Sequence, residues 1–152
     1  MINAELNKKF QENYIKSLNV INKDEKKEYF IISNNDMALQ KYSNTICIED
    51  SFIDVLIATR EYVLNGYRIV SHPLPASIRM IYSPVRSIII TKDNNIDDFS
   101  LEIIESSIEK YQTTIGKRNI DIKNKKDYEI IDLDLLESAI EENDFIMSSK
   151  NI

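Results

Sequence analysis

Between residues 3 and 21, apolar side chains recur at Leu6, Phe10, Tyr14, Leu18 and Ile21. Spacings of three and four lay these on one stripe of an amphipathic helix. A charge-rich linker, NKDEKKE (22–28), follows, and the period then changes. YFIIS (29–33) is a short apolar run rich in β-formers and bounded by Asn-Asn-Asp, the pattern of a buried strand; TICI (45–48) is a shorter one. Residues 36–42 between them suit a brief helix. EDSFIDVLIATREYVLNG (49–66) is the clearest helix, with Ile53, Leu56, Ile57, Val63 and Leu64 on its apolar face. Ser51 caps it, Asp54 three residues on suits a capping box, and Gly66 fits the left-handed position past its last turn. YRIVS (67–71) and RSIIIT (86–91) read as the third and fourth strands. DDFSLEIIESSIEKYQTTIG (97–116) is a second long helix, lined by Leu101, Ile104, Ile108, Tyr111 and Ile115. After a polar connection over 116–127, YEIIDLDLLESAIEENDFI (128–146) suggests a short strand and then a helix capped by Asp132 or Asp134.

Strands alternating with helices predict an α/β fold: a layered, mostly parallel sheet of four to five strands flanked by helices, with an extra N-terminal helix. The chain divides into an N-terminal helical extension (1–22) and a single α/β domain (28–147). The extension packs as an arm or on a partner chain, which leaves homo-oligomerisation open. In such sheets ligands bind beyond the carboxyl ends of strands. Ser33, Asn34 and Asn35 follow the first strand, and Ser71 and His72 follow the third. If those strands run parallel as neighbours, both clusters face one crevice.

Composition narrows the chemistry. At 152 residues the chain is long enough for a real core, and no apolar run approaches the roughly 20 residues needed to cross a bilayer. The first residues mix acids and amides into the apolar positions, unlike a signal peptide, so the expected location is the cytoplasm and no membrane is involved. The net charge of −6 argues against a nucleic-acid partner, which would need a basic face. Cys47 is the single cysteine and His72 the single histidine, which disfavours a His/Cys metal site; within its apolar run Cys47 reads as a buried small hydrophobe. With two glycines in all, there is no glycine-rich phosphate loop, and no cofactor is expected.

The segment SHPLPAS (71–77) gathers that histidine and two of the three prolines, with Pro84 close behind. Proline fixes its own φ and pushes the preceding residue into extended geometry, so Pro73 and Pro75 make a stiff loop that presents side chains. Residues 62–91 contain Arg68, Arg79 and Arg86 and no Asp, Glu or Lys, so this window is +3 in a chain of −6. Buried strands exclude acids in any case. The sharper reading is an anion site, because guanidinium forks suit carboxylate and phosphate. Its candidate residues are Asn34, Asn35, Ser71, His72, Ser77, Arg79, Arg86 and Ser87. His72 is also the one candidate general acid or base; a single histidine at a strand end equally serves as a hydrogen-bonding group. Ser71 and Ser77 lack a Gly-x-Ser-x-Gly elbow.

FIISNN (30–35), DVLIATREYVLNGYRIVSHPLPASI (54–78), SPVRSIII (83–90) and DFSLEIIESSIE (98–109) together resemble the GrdX family, small proteins encoded with the glycine, sarcosine and betaine reductase systems of amino-acid-fermenting anaerobes. Asn34-Asn35, Arg60-Glu61, Gly66, His72-Pro73-Leu74, Ser77, Pro84 and Ser87 match the family's pattern in order, and IDLDLLESAI (131–140) resembles its C-terminal part. The likeness spans about residues 28–145. Tyr67 stands where the family has a second histidine, Pro75-Ala76 where it has Ser-Gly, Arg79-Met80-Ile81 where it has a Lys-Pro-Asn type segment, and Val85-Arg86 where it has Tyr-Lys. The resemblance implies a pathway and names no reaction. Three readings stand. The first is a non-catalytic accessory protein of the reductase system that binds a small anionic ligand or a reductase-system subunit at the His-Pro loop. The second is an enzyme on a small carboxylate or phosphate with His72 as acid/base. The third is an interaction module assembled through its N-terminal helix.

Overall fold

The computed structural model describes residues 28–115 and 119–150, together with Lys8, Gln11, Glu12 and Ile21. The N-terminal helix expected over 3–21 otherwise lies outside the described residues. Four strands, β1 (Phe30–Ser33), β2 (Thr45–Cys47), β3 (Tyr67–Ile69) and β4 (Ser87–Lys92), form one sheet in the order β2-β1-β4-β3. Helices α1 (Asp36–Lys41), α2 (Phe52–Leu64), α3 (Asp98–Ile115) and α4 (Lys125–Lys150) flank it. Phe30, Ile32, Ile88 and Ile90 face the larger core with α2 and α3, while Ile31 and Ile89 face Ala38 of α1 and Leu136 and Ile140 of α4. The two-residue alternation of the strands thus serves a core on each face.

The sheet is mixed, which corrects the expectation of a mostly parallel one. Only β1 and β2 run parallel; β4 is antiparallel to both β1 and β3. The chain returns through β4 between two strands of one direction, so β1 and β3 still end at the same edge of the sheet without being neighbours.

The short strand expected near 128 is also absent, and α4 runs unbroken through it. Asp132, Leu136 and Ile140 recur every four residues and are all buried, so the helical period prevails over the β-branched pair Ile130-Ile131, which stays exposed.

Local chemistry sets the helix ends. Asp54 accepts from the Ser51 amide at 3.1 Å and from its hydroxyl at 2.8 Å, the expected start of α2. Past its end, Gly66 has φ of +92°, and its carbonyl accepts from the amides of Asp93 and Asn94. On the outer edge of β3, Ser100 of α3 accepts the Ile69 amide at 3.0 Å, so that backbone donor is not offered to another strand.

Candidate functional site

At the carboxyl end of the sheet buried hydrogen bonds link the polar residues after β1 to those before and within β4, and a residue outside the candidate set holds them together. Asp132, on the sheet-facing side of α4, is 1% exposed. Its carboxylate accepts from the Ser87 amide at 3.0 Å, the Ser87 hydroxyl at 2.7 Å and the Asn35 amide nitrogen at 2.9 Å, with an Arg86 guanidinium nitrogen at 3.9 Å. A carboxylate only accepts, so Ser87 spends its proton there and Ser33 must donate to Ser87 across 2.7 Å. Asn35 also caps α1, accepting from Met37, and donates to the Glu129 carbonyl. The strand ends, α1 and α4 are thereby locked into one network.

Arg86 spans the two clusters. Its Nε donates to the Pro73 carbonyl at 2.9 Å, a terminal nitrogen donates to the His72 carbonyl at 2.8 Å, and its own amide donates to Asn34. Asn34 in turn donates to the carbonyls of Asp50 and Pro84. Burial pushes the Arg86 pKa down and the Asp132 charge opposes that push. The Val85-Arg86 departure from the family pattern acquires a reason here, since a planar fork meets two carbonyls and a carboxylate in fixed directions as a lysine could not.

The structure therefore divides the eight candidates. Asn34, Asn35, Arg86 and Ser87 spend their polar groups inside the protein, and the Ser71 hydroxyl accepts the Ile89 amide at 2.8 Å. Ser77 and Arg79 are exposed at the 3-10 turn over Ile78–Tyr82. His72 is exposed too, with Nδ1 3.0 Å from both the amide and the carbonyl of Leu74. One ring nitrogen is thus held by the loop backbone of an otherwise exposed side chain. Rather than one shared crevice, Asn34 lines one cavity and His72 others.

Two grooves flank the His-Pro loop. One, of about 450 Å³, lies between the loop and α4 and is walled by Leu135, Ala139, Glu142 and Ile146. The other, of about 510 Å³, lies between the loop and α3 and carries His72, Ser106, Ser107 and Lys110 beside Leu74, Pro75 and Ala76. The described residues lining this second groove include no carboxylate. Among the described residues, Asn94 is the only non-glycine with positive φ, so Pro75 and Ala76 hold ordinary backbone geometry and need no glycine.

Cys47 is exposed, contrary to the expected buried hydrophobe, because it is the last residue of an edge strand and opens onto a further cavity. No group of three or more metal-ligating side chains occurs among the described residues, and no helix among them is long and apolar enough to cross a membrane.

Asp132, expected with Asp134 as a possible helix cap, instead lies inside α4, which begins at Lys125, and neither it nor Lys110 was a candidate site residue. Asp132 carried a usable signal, an acid in register with Leu136 and Ile140 on the buried stripe. Lys110, exposed on α3, carried none.

These features define a small α/β domain on a four-stranded mixed sheet, with a buried Arg-Asp hub beneath a stiff His-Pro loop. Residues 30–141 match the model of the GrdX-like protein family, and the chain belongs to that family. No curated protein and no solved structure matches it.

Proposed function

We propose that this chain is an accessory protein of the glycine and betaine reductase systems that binds a small anion in the groove between the His-Pro loop and α3. Family membership supports the pathway context. The observation that carries the binding reading is the groove of about 510 Å³ in which the Lys110 ammonium stands with His72 and Ser107 without a lining carboxylate among the described residues, in a chain of net charge −6. The volume falls within the range of small-molecule sites. The loop is held beforehand by two prolines and by Arg86 on its carbonyls, so little freedom is lost on binding. Binding is favoured over catalysis because the described lining offers one imidazole and no carboxylate to orient it.

The test is a thermal-shift and calorimetric series with acetate, phosphate, glycine, betaine and acetyl phosphate, repeated on Lys110→Gln and His72→Gln. Binding of an anion that both variants weaken is the expected result. An unshifted melting temperature with every anion, or binding indifferent to both substitutions, would overturn the reading.

A further inference from the structure

A larger cavity, about 680 Å³, opens at the carboxyl ends of β1 and β2 and shares no lining residue with the two grooves of the His-Pro loop. Tyr111 of α3 lines it, 5% exposed and stacked on Phe52 with ring centroids 4.6 Å apart. Burial, reinforced by the charge of Asp54, raises its pKa to about 12, so the hydroxyl is neutral at pH 7. That hydroxyl forms no hydrogen bond among the described residues, whereas every polar side-chain atom sealed in the interior of those residues has a partner. Tyr111 lines the cavity with its oxygen free of a partner among the described residues. A buried tyrosine ordinarily satisfies its hydroxyl, and one left open toward a cavity is placed to bond what enters.

The rest of the lining has two parts. Val85, Ile120 and Ile122 continue the apolar wall begun by Phe52, and Ile122 is 72% exposed at the mouth. Among the described residues of the lining, Asp36, Glu49 and Asp50 supply carboxylates against one lysine, Lys125. Asp36 and Glu49 are exposed. This charge is opposite in sense to that of the groove beside α3.

We propose that this cavity binds an organic ammonium compound with an apolar body. The ammonium group sits at the rim beside Asp36 and Glu49, the body lies on Phe52, Val85 and Ile122, and a hydrogen-bonding group of the ligand meets the Tyr111 hydroxyl. The cavity is a second site, independent of the anion groove.

Tyramine, phenethylamine and 3-(4-hydroxyphenyl)propionate test each part, because they vary the phenol and the charge on one skeleton. Amide chemical shifts of the intact protein report where each binds. Tyramine at millimolar concentration is expected to move the amides of Ile48, Val85 and Ile122, and the propionate is not. Glu49→Gln, at an exposed position, is expected to weaken tyramine about fivefold, the scale of one partly exposed ion pair. Tyr111→Phe is expected to remove the preference for tyramine over phenethylamine. Absence of shifts with tyramine, equal binding of the propionate, or shifts confined to His72 and Lys110 would overturn the proposal. The last outcome would leave the anion groove reading in place.

Discussion

Replacing Asp132 by alanine tests the hub directly. The substitution deletes three short hydrogen bonds, to the Ser87 amide, the Ser87 hydroxyl and Asn35, and leaves Arg86 buried with no countercharge at 3.9 Å. Breaking a buried charged pair by removing one partner costs about 3–5 kcal/mol. The orphaned Ser87 amide falls within that figure, since effects in one network do not add. For a domain whose total stability is about 5–15 kcal/mol, this is a large fraction, and it corresponds to a fall in Tm of about 10 °C or more. Urea unfolding followed by circular dichroism measures it. Glu137→Ala is the internal control, because it breaks the 2.7 Å pair with Lys41 on the exposed side of the same helix and should cost less than about 1 kcal/mol. The double variant Arg86→Met/Asp132→Leu should recover part of the loss by removing both charges, and only part, because the Ser87 amide and the His72 and Pro73 carbonyls lose their partners. If Asp132→Ala costs no more than Glu137→Ala, the hub does not hold the strand ends and helix together as argued.

Three further outcomes follow from the geometry. Ser100→Ala removes the acceptor of the Ile69 amide on the outer edge of β3; a loss of about 1–2 kcal/mol and concentration-dependent association in light scattering are expected, and an unchanged monomer-to-oligomer ratio would show that the edge is protected otherwise. Gly66→Ala forces a side chain to φ of +92° with its Cβ 3.4 Å from the Asn94 backbone, at about 1–2 kcal/mol in thermal unfolding, and Gly66→Asn should cost less. Tyr111 has a folded pKa raised to about 12 from an ordinary 10.0, so folding disfavours its ionised form; its contribution is intact below pH 10 and is lost as pH rises through about 12. Unfolding free energy measured over that window should fall with a slope approaching one proton, and Tyr111→Phe should flatten it.

What was legible in the sequence was local. The strand Phe30–Ser33, the capping box of α2 and the left-handed Gly66 each depend on residues adjacent in the chain, and each appears where the pattern places it. Strand direction was not legible, because the antiparallel course of β4 depends on how the segment between β3 and β4 returns across the sheet. Four helical or strand-like runs of similar composition do not encode that path. The segment at 128–133 was misread because Ile130 and Ile131 are β-branched while the buried period, Asp132-Leu136-Ile140, includes an acid. A polar residue in a core register looks like a break in the stripe until its partners, 45 and 97 residues away, are seen.

The same hub explains why most of the polar candidates turned inward while His72 did not. A loop that crosses the end of a sheet leaves its own carbonyls without strand partners, and buried carbonyls must be bonded. Pro73 cannot donate an amide to help, and the carbonyls of His72 and Pro73 are met by the Arg86 fork. The arginine is buried to do this, and its charge requires Asp132, whose remaining lone pairs take Ser87 and Asn35. Each residue in that sequence is consumed by the one before it, and the chain of requirements ends at the backbone. His72 stands at its start, exposed, with Nδ1 against Leu74. The positive charge in the 62–91 window thus reads differently at each arginine: Arg86 stiffens the loop from beneath, Arg68 and Arg79 are solvated, and the donors that line the groove beside α3 come from His72 and Lys110. The rigidity of a loop fixed from below in this way should survive His72→Gln but not Arg86→Met. Hydrogen exchange at the Leu74 amide in the two variants separates these cases, and equal protection in both would show that the prolines alone stiffen the loop.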